Sequence, residues 1–387
     1  MDITIHPGRL RGNVQAIASK SMAHRLLIMA AFADGPTDLL LNKTNQDIEA
    51  TAQCLRALSA DIMSSDFGYH VEPVKSIPGE AVLPCRESGS TLRFMLPIVG
   101  ALGVKGTFLL EGRLPERPLS PLWEEMVRMG CNLSRPTQDS ILCTGKLVPG
   151  AYTIQGNVSS QFISGLLFAH SLMDATSTLE ITGPVESAPY IQMTRDAISV
   201  FGPDKHTPGT IAVEGDWSNG AFFLAAASLG SDINVLGLNP DSHQGDSAVS
   251  ELLVRLNENC TISAANIPDL IPILSVVAAA NKGACFTDIQ RLRAKESDRV
   301  ASVVSMIQNL GGKAESTHSS LTIHPGKPTG GIVNSFNDHR IAMSAAIAAT
   351  ICEKEVTILD AQCVSKSYPS FWEEYDRLGG QYEQYLR

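Results

Sequence analysis

Ile17-Ala-Ser-Lys-Ser-Met-Ala-His-Arg-Leu-Leu-Ile-Met-Ala-Ala-Phe32 is the stretch on which the fold prediction rests. Its polar cluster, Ser19-Lys20-Ser21 with Arg25 one turn on, opens an apolar helix. The backbone N–H groups and positive dipole end of such a helix, beside a lysine and an arginine, favour an anion site. The simpler alternative is a serine cap on an ordinary core helix. We favour the anion site because the pattern recurs along the chain.

A polar start followed by an apolar helix occurs six times, which indicates repeated supersecondary units. These first helices begin near Ser19, Ser88, Ser159, Asp216, Asp269 and Asp338. The short strands that follow them begin at Thr37, Thr107, Thr178, Ile233, Cys285 and Val356. Second, amphipathic helices are predicted over 47–58, 119–129, 190–201, 246–256, 297–310 and 369–378. Glycines at 130, 202, 311 and 379 are predicted C-caps of these second helices. The pattern predicts an α/β fold built from six similar units.

The two ends of the chain indicate how these units group into domains. The fifth unit ends in Leu321-Thr-Ile-His-Pro-Gly326, and the chain begins with the similar Ile3-Thr-Ile-His-Pro-Gly8. The sixth unit has only residues 381–387 after its last helix, so residues 1–17 resemble the strand that it lacks. We therefore predict one domain over 18–212 and a second over 213–387, completed by 1–17.

The composition narrows the class of protein. With 387 residues, 44% of them hydrophobic and 18% charged, the chain is globular, and its net charge of −10 argues against general nucleic-acid binding. Eight cysteines without any C-x-x-C pattern indicate reduced thiols, not disulfides or a zinc site. Apolar runs such as 270–280 are too short to cross a bilayer. We expect a cytoplasmic protein without a signal peptide.

Ten short motifs follow one another over nearly the whole chain. They are Ser19-Lys-Ser-x-x-x-Arg25, Ser88-Gly-Ser-Thr-Leu-Arg93, Glu116-Arg-Pro118, Gly156-x-x-Ser-Ser-Gln-Phe162, Ser187-Ala-Pro-Tyr190, Glu214-Gly-Asp216, Pro268-Asp-x-x-Pro272, Arg293-x-Lys-Glu-Ser-Asp-Arg299, Asn337-Asp-His-Arg340 and Lys366-Ser-Tyr-Pro369. In this order they closely resemble the EPSP synthase (3-phosphoshikimate 1-carboxyvinyltransferase) family. Each motif alone is weak, whereas ten in order are highly specific. The resemblance implies the enolpyruvyl transferase fold. That fold has two domains of three βαβαββ-like units, helices packed inside sheets, and an active site in the interdomain cleft.

The resemblance also implies a reaction. The enolpyruvyl group of phosphoenolpyruvate would pass to the 5-hydroxyl of shikimate 3-phosphate by addition–elimination through a tetrahedral intermediate, releasing phosphate. This step belongs to the shikimate pathway to chorismate and the aromatic amino acids. The resemblance implies small-molecule substrates and no metal or organic cofactor. We expect a monomer that binds neither nucleic acid nor membranes.

The reaction requires two opposite proton transfers. The 5-hydroxyl must lose a proton and the methylene carbon of phosphoenolpyruvate must gain one, which suits a pair of groups with separated pKa values. The resemblance implies Asp269 as the base and Glu296 as the acid, with Lys20 near both reacting oxygens. Whether Glu296 is protonated stays open, because Lys295 and Arg299 flank it in the sequence.

Matching the motifs residue by residue gives two predicted ligand sets. The set for shikimate 3-phosphate is Lys20, Ser21, Arg25, Ser159, Ser160, Gln161, Ser187, Tyr190, Asp269 and Lys295. The set for phosphoenolpyruvate is Lys20, Gly89, Arg117, Gln161, Arg299, His339, Arg340 and Lys366. Arginine forks suit phosphates and carboxylates. At Gly89 the absence of a Cβ would let the backbone approach its ligand closely.

Some residues depart from the family pattern or have simpler explanations. Glu87 stands where many relatives carry asparagine, and we expect it to pair with Arg93 or Arg117. For Arg93 a purely structural ion pair is an equal alternative. His24 and His170 lie on apolar helix faces and are predicted to be structural.

Two other functions compete with this prediction. The related UDP-N-acetylglucosamine enolpyruvyl transferases typically carry a reactive cysteine in the loop that matches 111–120, and this chain has none there. A phosphometabolite-binding protein without catalysis is the second alternative. The presence of the whole predicted set argues against it: Lys20, Asp269, Glu296, Arg340 and Lys366.

Overall fold

The computed structural model describes residues 1–201 and 209–385. The α-helices in these residues are α1 (Lys20–Ala31), α2 (Gln46–Ala57), α3 (Gly89–Leu102), α4 (Leu122–Arg128), α5 (Ser160–Ser171), α6 (Ala188–Val200), α7 (Trp217–Ser228), α8 (Val249–Arg255), α9 (Ile271–Ala280), α10 (Arg299–Asn309), α11 (His339–Ala349) and α12 (Phe371–Arg377). Short 3₁₀ helices lie at Leu114–Glu116, Gly245–Ala248, Gln290–Ala294 and Ala361–Lys366.

One to three strands separate successive α-helices in the described residues. The strands are β1 (Asp2–Ile5), β2 (Arg11–Gln15), β3 (Thr37–Leu40), β4 (Asp61–Ser65), β5 (Gly68–Glu72), β6 (Glu80–Arg86), β7 (Lys105–Leu110), β8 (Cys131–Ser134), β9 (Ser140–Gly145), β10 (Ala151–Gln155), β11 (Thr178–Thr182), β12 (Thr210–Ala212), β13 (Asp232–Leu236), β14 (Cys260–Ser263), β15 (Ala284–Thr287), β16 (Ala314–Ser316), β17 (Ser320–Ile323), β18 (Gly331–Asn334), β19 (Val356–Leu359) and β20 (Tyr382–Tyr385). The six strands predicted to follow the first helices are β3, β7, β11, β13, β15 and β19.

Contacts divide the chain into two compact units. The continuous unit is Ala18–Glu214, and the discontinuous unit is Met1–Ile17 with Gly215–Arg387. The second boundary therefore falls two residues after the predicted one at 212/213. Ala18 N–H donates to Asn42 Oδ1 within the continuous unit, and Asp216 N–H donates to the Ile17 carbonyl within the discontinuous unit.

Polar side chains cap the first helices, as predicted, with one exception. The capping side chains accept from the N–H two or three residues on and are Ser19, Ser88, Ser159, Asp216 and Asp338. The exception is α9, which begins at Ile271 with Pro272 in its first turn and follows Leu270 without a side-chain cap. The predicted start at Asp269 is thus two residues early, because this carboxylate contacts cations instead of capping.

The second helices lie where they were predicted, with ends shifted by three residues or fewer. α4 begins at Leu122 instead of 119, because Pro121 precedes its first residue and a proline disfavours the helical conformation in the residue before it. Gly130, Gly311 and Gly379 follow α4, α10 and α12 with φ of 109°, 85° and 89°, which confirms them as left-handed C-caps. The fourth predicted C-cap, Gly202, lies outside the described residues.

Four-stranded sheets of one repeated design occur in both units. In the described residues their orders are β12-β3-β5-β4 and β6-β7-β9-β8 in the continuous unit, and β14-β15-β17-β16 and β18-β19-β1-β20 in the discontinuous unit. The first pair in each order is parallel and the remaining pairs are antiparallel. Strand β1 takes the place that β5, β9 and β17 hold in the other three. This is the strand that the sixth unit lacks.

Helices fill the interior of each unit and sheets cover it. Helix α3 buries nearly all of its residues, as do α9 and α11. Strands such as β10 alternate between buried and exposed residues, here from Ala151 to Gln155. Among residues 1–201 and 209–385 no helix combines the length and the apolar character needed to cross a membrane. The eight cysteines carry free thiols.

Two histidines belong to the packing of the continuous unit, His24 buried and His170 half-buried. His24 Nδ1 lies 2.8 Å from Thr51 Oγ1, and the His24 ring meets Phe94 edge-on. The His170 ring centroid lies 4.5 Å from that of Tyr152. Burial lowers the pKa of both histidines, that of His24 well below its ordinary value. Both side chains therefore favour the neutral form inside the fold.

Candidate active site

Lys20 is the first residue of α1 and forms an ion pair with the first turn of α2. Its Nζ lies 3.0 Å from Asp47 Oδ2, and the two side chains are 16% and 18% exposed. The predicted alternative, that Ser19 serves only as a cap, is compatible with a site role for its neighbours. Ser19 Oγ accepts from Met22 N–H, which leaves the Lys20 side chain outside the cap. A partly buried ammonium thus stands at a helix N-terminus.

Arg25 is buried and joins three helices of the continuous unit. Its guanidinium donates to the Ser21 carbonyl at 2.6 Å, the Tyr190 carbonyl at 2.8 Å and Thr194 Oγ1 at 2.8 Å. The guanidinium carbon lies 5.1 Å from the centre of the Phe94 ring. Burial lowers the pKa of Arg25 to about 10. The structure therefore brings Ser21, Arg25 and Tyr190, three of the predicted shikimate 3-phosphate ligands, to one place.

The N-termini of α3 and α5 meet through Gln161. Arg93 Nη1 donates to Gln161 Oε1 at 2.9 Å, and Gln161 Nε2 donates to Ser90 Oγ at 2.9 Å. Arg93 also donates to the Pro118 carbonyl at 3.3 Å. For Arg93 the structure thus shows hydrogen bonds that hold Gln161 and the loop at 118.

Gly89 lies directly beneath two guanidinium groups. A methyl group built on Gly89 would lie 2.6 Å from Arg117 Nη1 and 2.7 Å from Arg93 Nη1. Glu87 lies against the neighbouring loop, where a methyl group on Gly112 would be 2.7 Å from Glu87 Oε2. Glycine at position 89 thus leaves these cations room at the start of α3, while the expected pairing of Glu87 stays a prediction.

The starts of α5 and α6 carry the remaining predicted residues of this unit. Ser159 Oγ accepts from Gln161 N–H at 3.3 Å, and Ser160 is buried in the first turn of α5. Ser187 precedes α6 with a φ of 56°, a left-handed conformation that costs a non-glycine residue energy and often occurs at functional sites. Their backbone N–H groups, at two helix N-termini, suit a phosphate.

In the discontinuous unit the carboxylate of Asp269 contacts three cations. It lies 2.7 Å from Arg299 Nη1, 3.4 Å from Arg340 Nη2 and 3.7 Å from Lys295 Nζ. Burial alone would raise the pKa of Asp269, but the charges of Lys295, Arg340 and Arg299 hold it well below its ordinary value. Burial in turn lowers the pKa of Lys295 to about 8.

Arg299 is the centre of this cluster. It is 1% exposed, and besides Asp269 it contacts Glu296 Oε2 at 2.6 Å and Asp338 Oδ2 at 3.0 Å. Asp338 in turn caps α11 by accepting from Arg340 N–H at 2.9 Å. The predicted base and the predicted acid are therefore bound to one guanidinium, which sequence reasoning assigned only to phosphoenolpyruvate.

Arg340, His339 and Lys366 surround the start of α11. Arg340 Nη1 donates to the Ser218 carbonyl at 3.1 Å, and Lys366 Nζ donates to the Asn337 carbonyl at 3.1 Å. His339 is 3% exposed. Three predicted phosphoenolpyruvate ligands thus lie at or near one helix N-terminus, where the dipole favours an anion.

Sequence reasoning missed some polar residues that contact these groups. Asp47 is the partner of Lys20, and Asp246 is a wholly buried carboxylate that accepts a hydrogen bond from the Ser218 hydroxyl. The sequence pattern indicates both only as helix starts. For Ser218 the pattern indicates only a place in the apolar helix α7. The sequence signal for each was a single polar residue near a helix N-terminus, which is equally typical of a cap.

Comparison with known proteins places the chain among enolpyruvyl transferases. A family model described as EPSP synthase (3-phosphoshikimate 1-carboxyvinyltransferase) matches residues 5–266 and 255–375. A curated 3-phosphoshikimate 1-carboxyvinyltransferase from Clostridium beijerinckii is 36% identical over 431 aligned positions, which cover 99% of each chain. One from Clostridium perfringens strain 13 is 38% identical over 416 positions and 98% of each chain.

Two solved structures show the same fold. An EPSP synthase from Acinetobacter baumannii superposes with a TM-score of 0.79 at 22% identity, over 99% of this chain and 100% of its own. The enolpyruvyl transferase NikO from Streptomyces tendae gives a TM-score of 0.75 at 16% identity, over 99% of this chain and 98% of its own. Both solved structures share the fold of this chain. The family model and the sequence relatives are more specific, and they show that the chain belongs to the EPSP synthase (3-phosphoshikimate 1-carboxyvinyltransferase) family.

Proposed function

We propose that this chain transfers the enolpyruvyl group of phosphoenolpyruvate to the 5-hydroxyl of shikimate 3-phosphate and releases phosphate. The observation that carries the proposal is the pair of carboxylates on Arg299, since Asp269 and Glu296 lie 2.7 and 2.6 Å from its nitrogens. A reaction that removes one proton and adds another needs two such groups in one polarised site.

We assign shikimate 3-phosphate to the serines and cations of the motif match. In the continuous unit these are Lys20, Ser21, Arg25, Ser159, Ser160, Gln161, Ser187 and Tyr190, and in the discontinuous unit Asp269 and Lys295. The helix N-termini at Ser159 and Ser187 supply N–H donors for the phosphate. Arg25 acts chiefly by holding Ser21 and Tyr190, because its own donors reach protein acceptors.

We assign phosphoenolpyruvate to the arginines and lysines around Gly89 and α11. The residues are Lys20, Gly89, Arg117, Gln161, Arg299, His339, Arg340 and Lys366. A carboxylate and a phosphate together carry enough negative charge to compete with the protein's own carboxylates for these cations. Arg340 and Lys366 each hold a backbone carbonyl, a weaker acceptor than a carboxylate.

The low pKa of Asp269 makes it a weak base in the free protein. Its pKa is depressed by the charges of Lys295, Arg340 and Arg299. When anionic substrates share those cations, their negative charge raises the pKa of Asp269 again. We propose that substrate binding itself activates Asp269 as the base, while Glu296 serves as the acid at the methylene carbon and Lys20 stabilises the reacting oxygens.

The related acceptor UDP-N-acetylglucosamine is the competing substrate. The experiment measures phosphate release from phosphoenolpyruvate with shikimate 3-phosphate, with UDP-N-acetylglucosamine, and with neither. We expect phosphate release from phosphoenolpyruvate only when shikimate 3-phosphate is the acceptor. Release only with UDP-N-acetylglucosamine would assign the chain to the other reaction, and binding of shikimate 3-phosphate without any release would make it a binding protein.

Replacing Gly89 by Ala should weaken phosphoenolpyruvate binding selectively. The new methyl group forces the guanidinium ends of Arg117 and Arg93 to move, since it would lie within 2.7 Å of both. We expect KM for phosphoenolpyruvate to rise roughly tenfold or more, and KM for shikimate 3-phosphate to change less than about threefold. Gly79→Ala, where nothing lies within 4 Å of the new methyl group, is the matched control. Equal changes in both KM values would contradict the assignment.

Lys295 should set an alkaline limit on shikimate 3-phosphate use. Because burial lowers the pKa of Lys295 to about 8, its positive charge is present below that pH and lost above it. We expect kcat/KM for shikimate 3-phosphate to fall above pH 8, since this parameter follows groups of the free enzyme. Lys295→Arg should move the fall to higher pH, whereas exposed Lys313→Arg should not. If kcat/KM falls at the same pH in Lys295→Arg as in the wild type, this role of Lys295 is excluded.

We propose further that the chain acts as a cytoplasmic monomer without metal or organic cofactor and without nucleic-acid or membrane partners. The free cysteines support a reducing compartment, and the net charge of −10 disfavours nucleic acids. Sedimentation velocity at assay concentration tests the oligomeric state. Activity after exhaustive dialysis against a chelator tests the absence of a metal.

A further inference from the structure

Arg340 is held from a second side by residues that carry no role in the proposed function. Its Nη1 donates to the Ser218 carbonyl at 3.1 Å, while its Nη2 reaches Asp269 at 3.4 Å. Ser218 lies in the first turn of α7, and its hydroxyl donates to Asp246 Oδ2. Asp246, Ser218, Arg340 and Asp269 therefore form one continuous polar chain inside the discontinuous unit.

Asp246 is fixed against the start of α7 by the residue two positions before it. Gln244 Oε1 accepts from Trp217 N–H at 3.1 Å, and Gln244 Nε2 donates to the Gly215 carbonyl at 2.8 Å. Asp246 is fully buried, and Ser218 and Arg340 are 8% and 3% exposed. Because these groups are buried and Gln244 holds the backbone at residues 215 and 217, the Ser218 backbone can shift little, so its carbonyl defines where the Arg340 guanidinium lies.

The charges around Asp246 come from three helix starts. Arg340 lies at the start of α11, Asp269 lies before α9, and Asp216 caps α7. Burial and the neighbouring Asp269 raise the pKa of Asp246 to about 7, although Arg340 opposes the shift. Near neutral pH this carboxyl therefore changes charge beside the cation that Asp269 also contacts.

We propose that Asp246 and Ser218 are positioning residues that set the Arg340 guanidinium for its anionic ligand. Ser218 holds Arg340 through its carbonyl and is itself held by Asp246 through its hydroxyl. Asp246 also sets the local charge. When Asp246 is neutral, Asp269 and Asp216 supply the negative charges near Arg340, and when it is ionised it adds one more. This inference rests on the proposed function, in which Arg340 binds phosphoenolpyruvate.

The first test removes the hydroxyl of Ser218. We expect Ser218→Ala to raise KM for phosphoenolpyruvate roughly tenfold, because a hydrogen bond in a charged network is lost, with KM for shikimate 3-phosphate changed less than about threefold. Ser344→Ala is the matched control. Ser344 is a fully buried serine of α11, and its hydroxyl has no hydrogen-bond partner among the residues that the structure describes. If Ser218→Ala behaves like Ser344→Ala, the proposal fails.

The second test separates charge from structure. Asp246→Asn keeps the size and an oxygen acceptor for Ser218 but cannot ionise. We expect the ratio of wild-type to Asp246→Asn kcat/KM for phosphoenolpyruvate to fall at least about threefold between pH 6 and 8, on either side of about 7. Titrations of the substrate and of other groups cancel in this ratio.

A constant ratio across this pH range would show that Asp246 acts only as packing and would overturn its charge role. If Asp246→Asn does not fold, as judged by circular dichroism, Ser218→Ala still decides the positioning role. Phosphate release by the wild-type protein with both substrates tests the proposed function separately. A working wild-type enzyme with two silent variants would therefore refute this inference alone.

Discussion

Lys20→Met is expected to reduce kcat by roughly a thousandfold or more while leaving the fold intact. General acid–base and charge-stabilising groups contribute about 10²- to 10⁴-fold each, and Lys20 is assigned both reacting oxygens. Its ammonium lies 3.0 Å from Asp47 at the start of α1. Because it is partly buried, solvent screens its charge little. Methionine is also unbranched and only one heavy atom shorter, and it removes the charge.

The control for Lys20 is a lysine of the same unit with a similar ion pair at the surface. Lys105 Nζ lies 3.4 Å from Glu80, and both side chains are more than half exposed. We expect Lys105→Met to change kcat less than about twofold, since exposed pairs contribute little. A folded Lys20→Met variant within about tenfold of wild-type kcat would remove Lys20 from the chemistry.

Asp269→Asn is expected to reduce kcat/KM at least about a thousandfold and to destabilise the discontinuous unit. The variant loses the proposed base and the carboxylate that contacts Lys295, Arg299 and Arg340. Breaking a buried ion pair costs about 3 to 5 kcal/mol, and we expect the lower end because Glu296 and Asp338 still hold Arg299. Chemical denaturation measures the loss of stability, and steady-state kinetics measures the fall in kcat/KM.

Activity and stability must be separated for this variant. Asp288→Asn changes an exposed carboxylate in the same unit that accepts from Ser263, and we expect it to alter neither. Kinetics should be measured well below the unfolding midpoint of Asp269→Asn, so that lost turnover is not lost protein. A folded Asp269→Asn variant that keeps more than about a tenth of wild-type kcat/KM would reject Asp269 as the base.

Local patterns predicted the frame of this fold because they are set by neighbouring residues. A serine or aspartate that can accept a backbone N–H two or three positions on marks a helix start whatever surrounds it, as Ser88 and Asp216 do. The Thr-Ile-His-Pro-Gly sequence that residues 4–8 share with residues 322–326 likewise predicted that β1 completes the sixth unit, and β1 lies between β19 and β20. Asp269 does not cap a helix, because its ion pairs with residues distant in the sequence outweigh a local hydrogen bond to the backbone.

The connections within the site could not be read from the sequence. Arg299 joins residues 269, 296 and 338, and only tertiary structure brings the first and last of these within reach of one guanidinium. The link from Asp246 through Ser218 to Arg340 spans three separate helix starts. Motif matching assigns residues to a ligand one at a time, whereas these contacts determine which of them share a proton or a charge.

The most direct test of the central claim is identification of the reaction product. Purified protein is incubated with phosphoenolpyruvate and shikimate 3-phosphate, and the mixture is resolved by mass spectrometry and phosphorus NMR. We expect shikimate 3-phosphate to be converted into its 5-enolpyruvyl ether with one inorganic phosphate for each ether formed, and neither product when one substrate is omitted. Recovery of both substrates unchanged, from folded protein that binds them, would contradict the account.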